Sequence, residues 1–321
     1  REPPREVDVS QIRKDLPRTF AEHSEVHRCE GEIEALLTYF AAKDPTLGYC
    51  QGMNCIAAVV VTRLRPDLAL ARARFAKFIG NVRGLWLAGF PLLHLGATAF
   101  EILFKKQFED LSAFFRRCGM TEEMLATGIL AGEWLSLFSR WLPFPRIWAA
   151  FEFVEVEGIA GLLSLSLAIL EAHKAVILSA TDFTELFMQL KELRWLPRQP
   201  QLDVLMARAK ELLPAAANAV KTAENWETSS VRSSVSITRS GSRVVHNKQS
   251  DLEIVVFAEE TKTAFLKAVS GMTNVCETIY ETLNDTMITS RSSFQDMRSF
   301  GRAARLPICG CRQAQKHDDE D

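Results

Sequence analysis

Apolar side chains recur at steps of three and four along nearly all of the first 220 residues, and strict apolar–polar alternation is sustained nowhere. That period matches the 3.6 residues of a helical turn and not the two-residue repeat of a strand. Ile33, Leu36, Leu37 and Phe40 fall on one face of a helix predicted over Glu32 to Ala41, which an Asp44-Pro45-Thr46-Leu47-Gly48 turn ends. Cys55 to Leu64 and Leu68 to Ile79 follow, separated by Arg65-Pro66-Asp67. Leu103, Phe104, Phe108, Leu111, Phe114 and Phe115 predict one helix over Phe100 to Cys118, stopped by Gly119, with Thr121 starting the next. Further helices are predicted over Glu133–Trp141, Arg146–Phe153, Gly158–His173, Asp182–Lys191 and Leu202–Leu212. The expectation is an all-α domain over residues 1–220.

Three stretches carry no formal charge: Thr46 to Thr62, Gly84 to Phe100 and Gly158 to Leu170. Each falls short of the roughly 20 apolar residues of a spanning helix, so all three read as buried helices. No signal peptide is visible at Arg1. The seven cysteines (Cys29, Cys50, Cys55, Cys118, Cys276, Cys309, Cys311) are odd in number and lack a CxxC, which fits reduced thiols in the cytoplasm. A net charge of −2 gives no global attraction to nucleic acid. The six histidines show no metal-site spacing such as HExxH, which argues against a hydrolase with its own centre.

Composition changes near Thr222. Nine of the fifteen residues from Thr228 to Ser242 are Ser or Thr, so residues 221–250 read as a disordered linker open to phosphorylation. Residues 251–290 read as an amphipathic helical segment, with Phe265, Val269, Met272, Cys276, Ile279, Leu283 and Met287 on one face. Residues 291–321 read as a basic tail, where Arg298, Arg302, Arg305 and Arg312 flank Cys309 and Cys311. Such a tail suits S-acylation and peripheral membrane contact, or is simply basic with incidental thiols.

Two short clusters remain. In Ile12-Arg13-Lys14-Asp15-Leu16-Pro17-Arg18, Pro17 disfavours helical geometry at Leu16 and puts Arg18 on a loop or break, with Asp15 placed to hold the guanidinium by a bidentate contact. An ordinary Asp–Arg surface pair has the same pattern. In Tyr49-Cys50-Gln51-Gly52-Met53-Asn54, a glutamine lies between the Pro45/Gly48 turn and an apolar run, near a helix N-terminus that favours an anion. Tyr49 is an aromatic anchor and Gly52 permits close approach of another chain. The bland alternative has Gln51 capping its own helix. An always-charged fork and a neutral amide able to orient water are the parts a slow GTPase lacks.

Together these clusters resemble the TBC domain, the Rab GTPase-activating module, over roughly Val9 to Leu213. Ile12, Asp15 and Arg18 match its arginine motif, and Tyr49, Gln51, Gly52 and Met53 its glutamine motif. Glu133-Trp134-Leu135-Ser136-Leu137-Phe138 matches its Trp-centred helix, and Ile147-Trp148, Glu157-Gly158 and Leu167-Ala168-Ile169-Leu170 its C-terminal lobe. The resemblance implies a two-lobed helical fold and a dual-finger mechanism. Arg18 would stabilise the transition state, Gln51 would position water, and Asp15, Tyr49 and Gly52 would support them. It further implies no cofactor of the chain's own, because GTP and magnesium are carried by the Rab, and no independent turnover. The setting would be vesicle trafficking, in the cytoplasm or peripherally on endomembranes.

Two departures are visible. The family's opening helices upstream of the arginine motif are absent, which predicts exposed apolar faces on the N-terminal lobe. Ala149 stands where the family places Asp after Ile147-Trp148. Both favour the alternative of a catalytically impaired Rab-binding scaffold. The Arg18/Gln51 pair favours catalysis.

Overall fold

A computed structural model of the chain describes the backbone of residues 5–237 and the side chains of residues 5–226. Every regular element among the described residues is helical. α1 (Glu6–Asp15) runs into a 3-10 turn over Leu16–Arg18. Leu16 keeps right-handed helical geometry (φ −58°, ψ −47°), contrary to the expectation for a residue before proline. Pro17 is the second residue of the 3-10 turn, within its first turn, where its fixed φ fits. The chain leaves helical geometry at Thr19 (φ −79°, ψ 105°) and Phe20 (φ 48°). α2 (Ser24–His27) and α3 (Glu30–Lys43) follow. The turn at Gly48 (φ 63°) then leads to α4 (Met53–Leu64), and α5 (Leu68–Asn81) is capped by the Asp67 carboxylate, which accepts from Leu70 N at 2.9 Å.

The stretch expected as one helix from Phe100 to Cys118 is two. α6 (Pro91–Gln107) and α7 (Glu109–Arg117) meet at Phe108 (φ −136°, ψ 57°). In a straight helix Phe104 and Phe115 would lie about 16 Å apart along the axis; the break brings their rings to 5.6 Å, inside one core. Burying both aromatic faces at once outweighs the unbroken period. Gly119 (φ 85°) does end α7, and Thr121 does cap α8 (Glu122–Leu125) by accepting from Met124 N.

A five-residue π-helical turn (Ala126–Leu130) then joins α9 (Ala131–Leu135). The helix expected to reach Trp141 stops there, because Leu137 (φ 48°) and Phe138 (φ 64°) turn left-handed. That turn sends Phe138 and Trp141 inward, and both are fully buried. α10 (Phe144–Ala172) joins the two helices expected on either side of Gly158 without a loop, and Gly158 itself is non-helical (φ 58°, ψ −138°). α11 (Lys174–Ile177), α12 (Phe183–Lys191, capped by Asp182) and a 3-10 turn at Leu193–Trp195 lead to α13 (Leu202–Ile237).

α13 packs along α10 and α6 and runs through the boundary expected near Val220. It passes Pro214 and enters the stretch read as a linker. The rest of that linker, the amphipathic segment and the basic tail lie outside the described residues.

Of the three charge-free stretches, Gly158–Leu170 lies wholly within α10 and is helical beyond the kink at Gly158; the other two enter their helices at Met53 and Pro91. α10 is long and apolar enough to cross a membrane by length and composition, yet 72% of its most apolar stretch is buried by the surrounding helices. The core is tied by tryptophans whose N–H groups all find acceptors: Trp86 to Leu135 O (3.2 Å), Trp134 to Ser166 Oγ (2.9 Å) and Trp141 to Leu190 O (2.8 Å). Exposed large apolar side chains lie on several elements, among them Val7, Val156, Trp195 and Val204. A cavity of about 560 Å³ opens between α3 and α5, lined in part by Leu36, Tyr39, Phe40 and Ile79.

Candidate functional site

The end of α1 and the start of α4 meet at Asp15. Its carboxylate is wholly buried, and burying a charge is costly unless it is hydrogen-bonded. Three side chains meet that need: Arg18 Nη2 and Gln11 Nε2 (3.2 Å) donate to Oδ1, and Tyr49 Oη donates to Oδ2 at 2.6 Å. Arg18 therefore holds one carboxylate oxygen and not the bidentate pair the sequence suggested, because Tyr49 occupies the other. Burial, reinforced by the Asp15 carboxylate, pushes the Tyr49 phenol far above its usual range and keeps it a donor. The Arg18 side chain is 55% exposed, so its head is anchored on one edge and open on the others.

Gln51 sits two residues before α4, and its exposed side chain makes no hydrogen bond among the described residues. It does not cap its own helix. Gly52 takes φ 103°, a backbone state that L side chains rarely adopt. A Cβ there would lie 2.4 Å from the Leu135 carbonyl oxygen. The close approach that demands glycine thus comes from α9 of this chain and not from another chain. Trp86 donates to that same carbonyl and fixes the wall behind the Gln51 turn.

A second line of hydrogen bonds joins the two loops. Gly52 N donates to Asn54 Oδ1 (2.9 Å), Asn54 Nδ2 donates to Thr19 Oγ1 (2.8 Å), and Thr19 Oγ1 donates to the Asp15 carbonyl (2.8 Å). Thr19 and Asn54 are buried. The loops are also packed against later elements. Phe20 meets Phe144 edge-to-face at 5.0 Å, His23 lies 4.6 Å from Phe144, and Arg194 pairs with Glu22 at 3.2 Å. Burial pushes the Cys55 thiol up to about 12 despite Arg140 and Arg194, so it is no nucleophile. Among the described residues no cluster of His, Cys, Asp or Glu could hold a metal ion.

An exposed guanidinium and an exposed amide are thus presented from adjacent loops on a buried, hydrogen-bonded base. The family model of the Rab-GTPase-TBC domain matches residues 1–178. The chain belongs to the Rab-GTPase-TBC domain family. A relative in Caenorhabditis elegans, "Rab GTPase-activating protein tbc-11", is 26% identical over 172 residues, covering 52% of this chain and 18% of the relative. Human "TBC1 domain family member 1" is 21% identical over 169 residues, covering 51% and 14%. The chain therefore spans less than a fifth of the curated relatives it matches.

Among solved structures, the Chlamydomonas flagellar RabGAP TBC domain superposes with a TM-score of 0.54 at 22% identity, covering 63% of this chain and 66% of that one. The Ypt/Rab-GAP domain of Gyp1p superposes with a TM-score of 0.52 at 15% identity, covering 66% and 73%. These are likenesses of fold.

Of the five residues singled out from sequence in this TBC domain, Arg18 and Tyr49 bond the buried Asp15 carboxylate directly, whereas Gln51 and Gly52 lie on the turn that follows Tyr49. Thr19 and Asn54 were missed as site residues. Asn54 closes the Tyr49–Asn54 cluster, and the available signal was its type: a short amide side chain just past a glycine readily bonds back to the backbone. Nothing local in the sequence pairs it with Thr19.

Proposed function

We propose that this TBC domain accelerates GTP hydrolysis on a GTP-bound Rab-family GTPase, with Arg18 and Gln51 completing the partner's active site in trans. The observation that carries the reading is the exposed Arg18/Gln51 pair raised on the Asp15–Tyr49 base. In the complex, Arg18 neutralises charge developing on the oxygens of the transferring phosphoryl group. Gln51 aligns the attacking water through its amide. GTP and magnesium arrive with the partner, so the chain turns over no substrate alone. The process served is vesicle trafficking, in the cytoplasm or peripherally on endomembranes, with the basic tail as a membrane contact.

An arginine supplied in trans is worth about 10³–10⁵ in rate. The test is single-turnover GTP hydrolysis on a panel of Rabs with wild type, Arg18→Ala and Gln51→Ala. Acceleration by wild type of at least one Rab, lost in Arg18→Ala, supports the reading. An Arg18→Ala variant as active as wild type overturns it. GTP-dependent Rab binding without acceleration selects the impaired scaffold that Ala149 favours.

A further inference from the structure

We propose that Asn54 and Thr19 form a strut that sets the distance between Arg18 and Gln51, which makes both of them positioning residues. The catalytic consequence rests on the Rab-GAP reading above; the strut itself does not.

Arg18 and Gln51 lie on separate loops, and each loop departs from regular geometry next to its finger, at Phe20 (φ 48°) and Gly52 (φ 103°). Two ties join the loops. Tyr49 Oη to Asp15 Oδ2 (2.6 Å) reaches the glutamine loop two residues before Gln51. Asn54 reaches it one residue after, at the Gly52 amide. Gln51 is therefore held between two fixed points, and both lead back to Asp15: one to its carboxylate, the other through Thr19 to its carbonyl.

The donor sense of the second tie is determined. A backbone N–H can only donate, so Asn54 must present Oδ1 to Gly52 and Nδ2 to Thr19. The single hydroxyl proton of Thr19 is committed to the Asp15 carbonyl, so Thr19 must accept from Asn54. Because the Thr19 hydroxyl rotates and could donate to a carboxylate, only an apolar side chain removes both contacts, and leucine at position 54 has nearly the shape of asparagine and no polar atom. Valine at position 19 has the same shape as threonine and no oxygen. Both changes cut the strut with little change in packing volume, whereas serine at 19 keeps the oxygen.

The purpose of such a strut is geometric. Two fingers act on one phosphoryl group only if both reach it together, and a misplacement of about 1 Å is enough to cost about 100-fold. Recognition of the partner, in contrast, is spread over a broader surface.

The experiment uses the full chain and two readouts. In single-turnover hydrolysis with a Rab that wild type accelerates, Asn54→Leu and Thr19→Val each lower the saturating rate about 10- to 100-fold. The half-saturating concentration stays within about twofold, as for an interaction realised in the transition state. Thr19→Ser recovers most of the rate lost in Thr19→Val, and the double variant is no slower than Asn54→Leu alone. Wild-type rates in Thr19→Val, losses that multiply in the double variant, or losses confined to half-saturation overturn the proposal.

The second readout needs no partner. Hydrogen exchange at the Gly52 amide quickens in Thr19→Val as well as in Asn54→Leu, and unchanged exchange in Thr19→Val overturns the strut. Faster exchange in both, with no Rab accelerated by wild type, supports the strut and sinks the Rab-GAP reading instead.

Discussion

Asp15 and Glu133 are both buried carboxylates, and their surroundings treat them in opposite ways. Asp15 receives three donors across its two oxygens. Glu133 has Arg140 Nε at 3.7 Å from Oε1, and among the described residues its Oε2 has no hydrogen-bond partner. Burial lifts the Glu133 carboxyl to about 7, against the pull of Arg140, Lys191 and Arg194 and of the Trp141 backbone amide. Asp15 and Cys55 also face this region from α1 and α4.

The folded state therefore holds a proton that the unfolded chain releases near pH 4.5, so stability falls as pH rises from about 4.5 through about 7. The gap corresponds to about 3 kcal/mol. His173, whose burial lowers its own value, works in the opposite direction over the acidic part of that window. Glu133→Gln is expected to gain stability relative to wild type by about 3 kcal/mol between pH 5 and 8. Urea midpoints of the two proteins across that range check it, and parallel profiles would rule it out.

At the scale of elements, helix identity was legible and helix junctions were not. Thr121 announced its helix because a cap is a local bond between a side chain and the next turn, and Asp67 and Asp182 cap theirs in the same way. The break at Phe108 and the left-handed pair Leu137-Phe138 carry no proline or glycine; they exist because distant aromatic faces must share one core. The candidate site divides in the same way. Asp15, Arg18 and Gln51 were readable from residue type and spacing, whereas the Thr19–Asn54 bond spans 35 positions and depends on tertiary contact.

Gly158 sits between these cases, since the helix expected to begin there follows the one before it without a loop. Nothing lies within 4 Å of a Cβ built there, so replacing it tests backbone strain alone. Gly158→Ala is expected to destabilise by about 1–3 kcal/mol. Gly31→Ala, in open space within α3, is expected to stabilise by about 0.4–1 kcal/mol. Chemical denaturation of the two variants checks the contrast, and a shift of the same sign in both would refute the strain at Gly158.

For the molecule as a whole, the arginine loop is gripped from beyond its own part of the sequence. Phe20 and His23 both lie against Phe144 at the start of α10, over 120 positions away. Glu22 pairs with Arg194, whose guanidinium also lies 4.3 Å from the Trp195 ring. The surface ion pair contributes at most about 1 kcal/mol. The two ring contacts contribute about 0.5–1.5 kcal/mol each beyond their buried area, so they dominate the grip.

Because that grip sits two residues from Arg18, it restrains the backbone at Arg18 as well as the fold. Phe144→Ala is expected to lower stability by about 1–3 kcal/mol. It is also expected to slow stimulated hydrolysis at saturation by at least about tenfold, since Arg18 loses its fixed approach. Thermal melts read the first effect, and single-turnover rates taken well below the melting point read the second. A melting loss with an unchanged saturating rate would show that Asp15 alone orients Arg18, and that the far side of the molecule contributes to the fold without reaching Arg18.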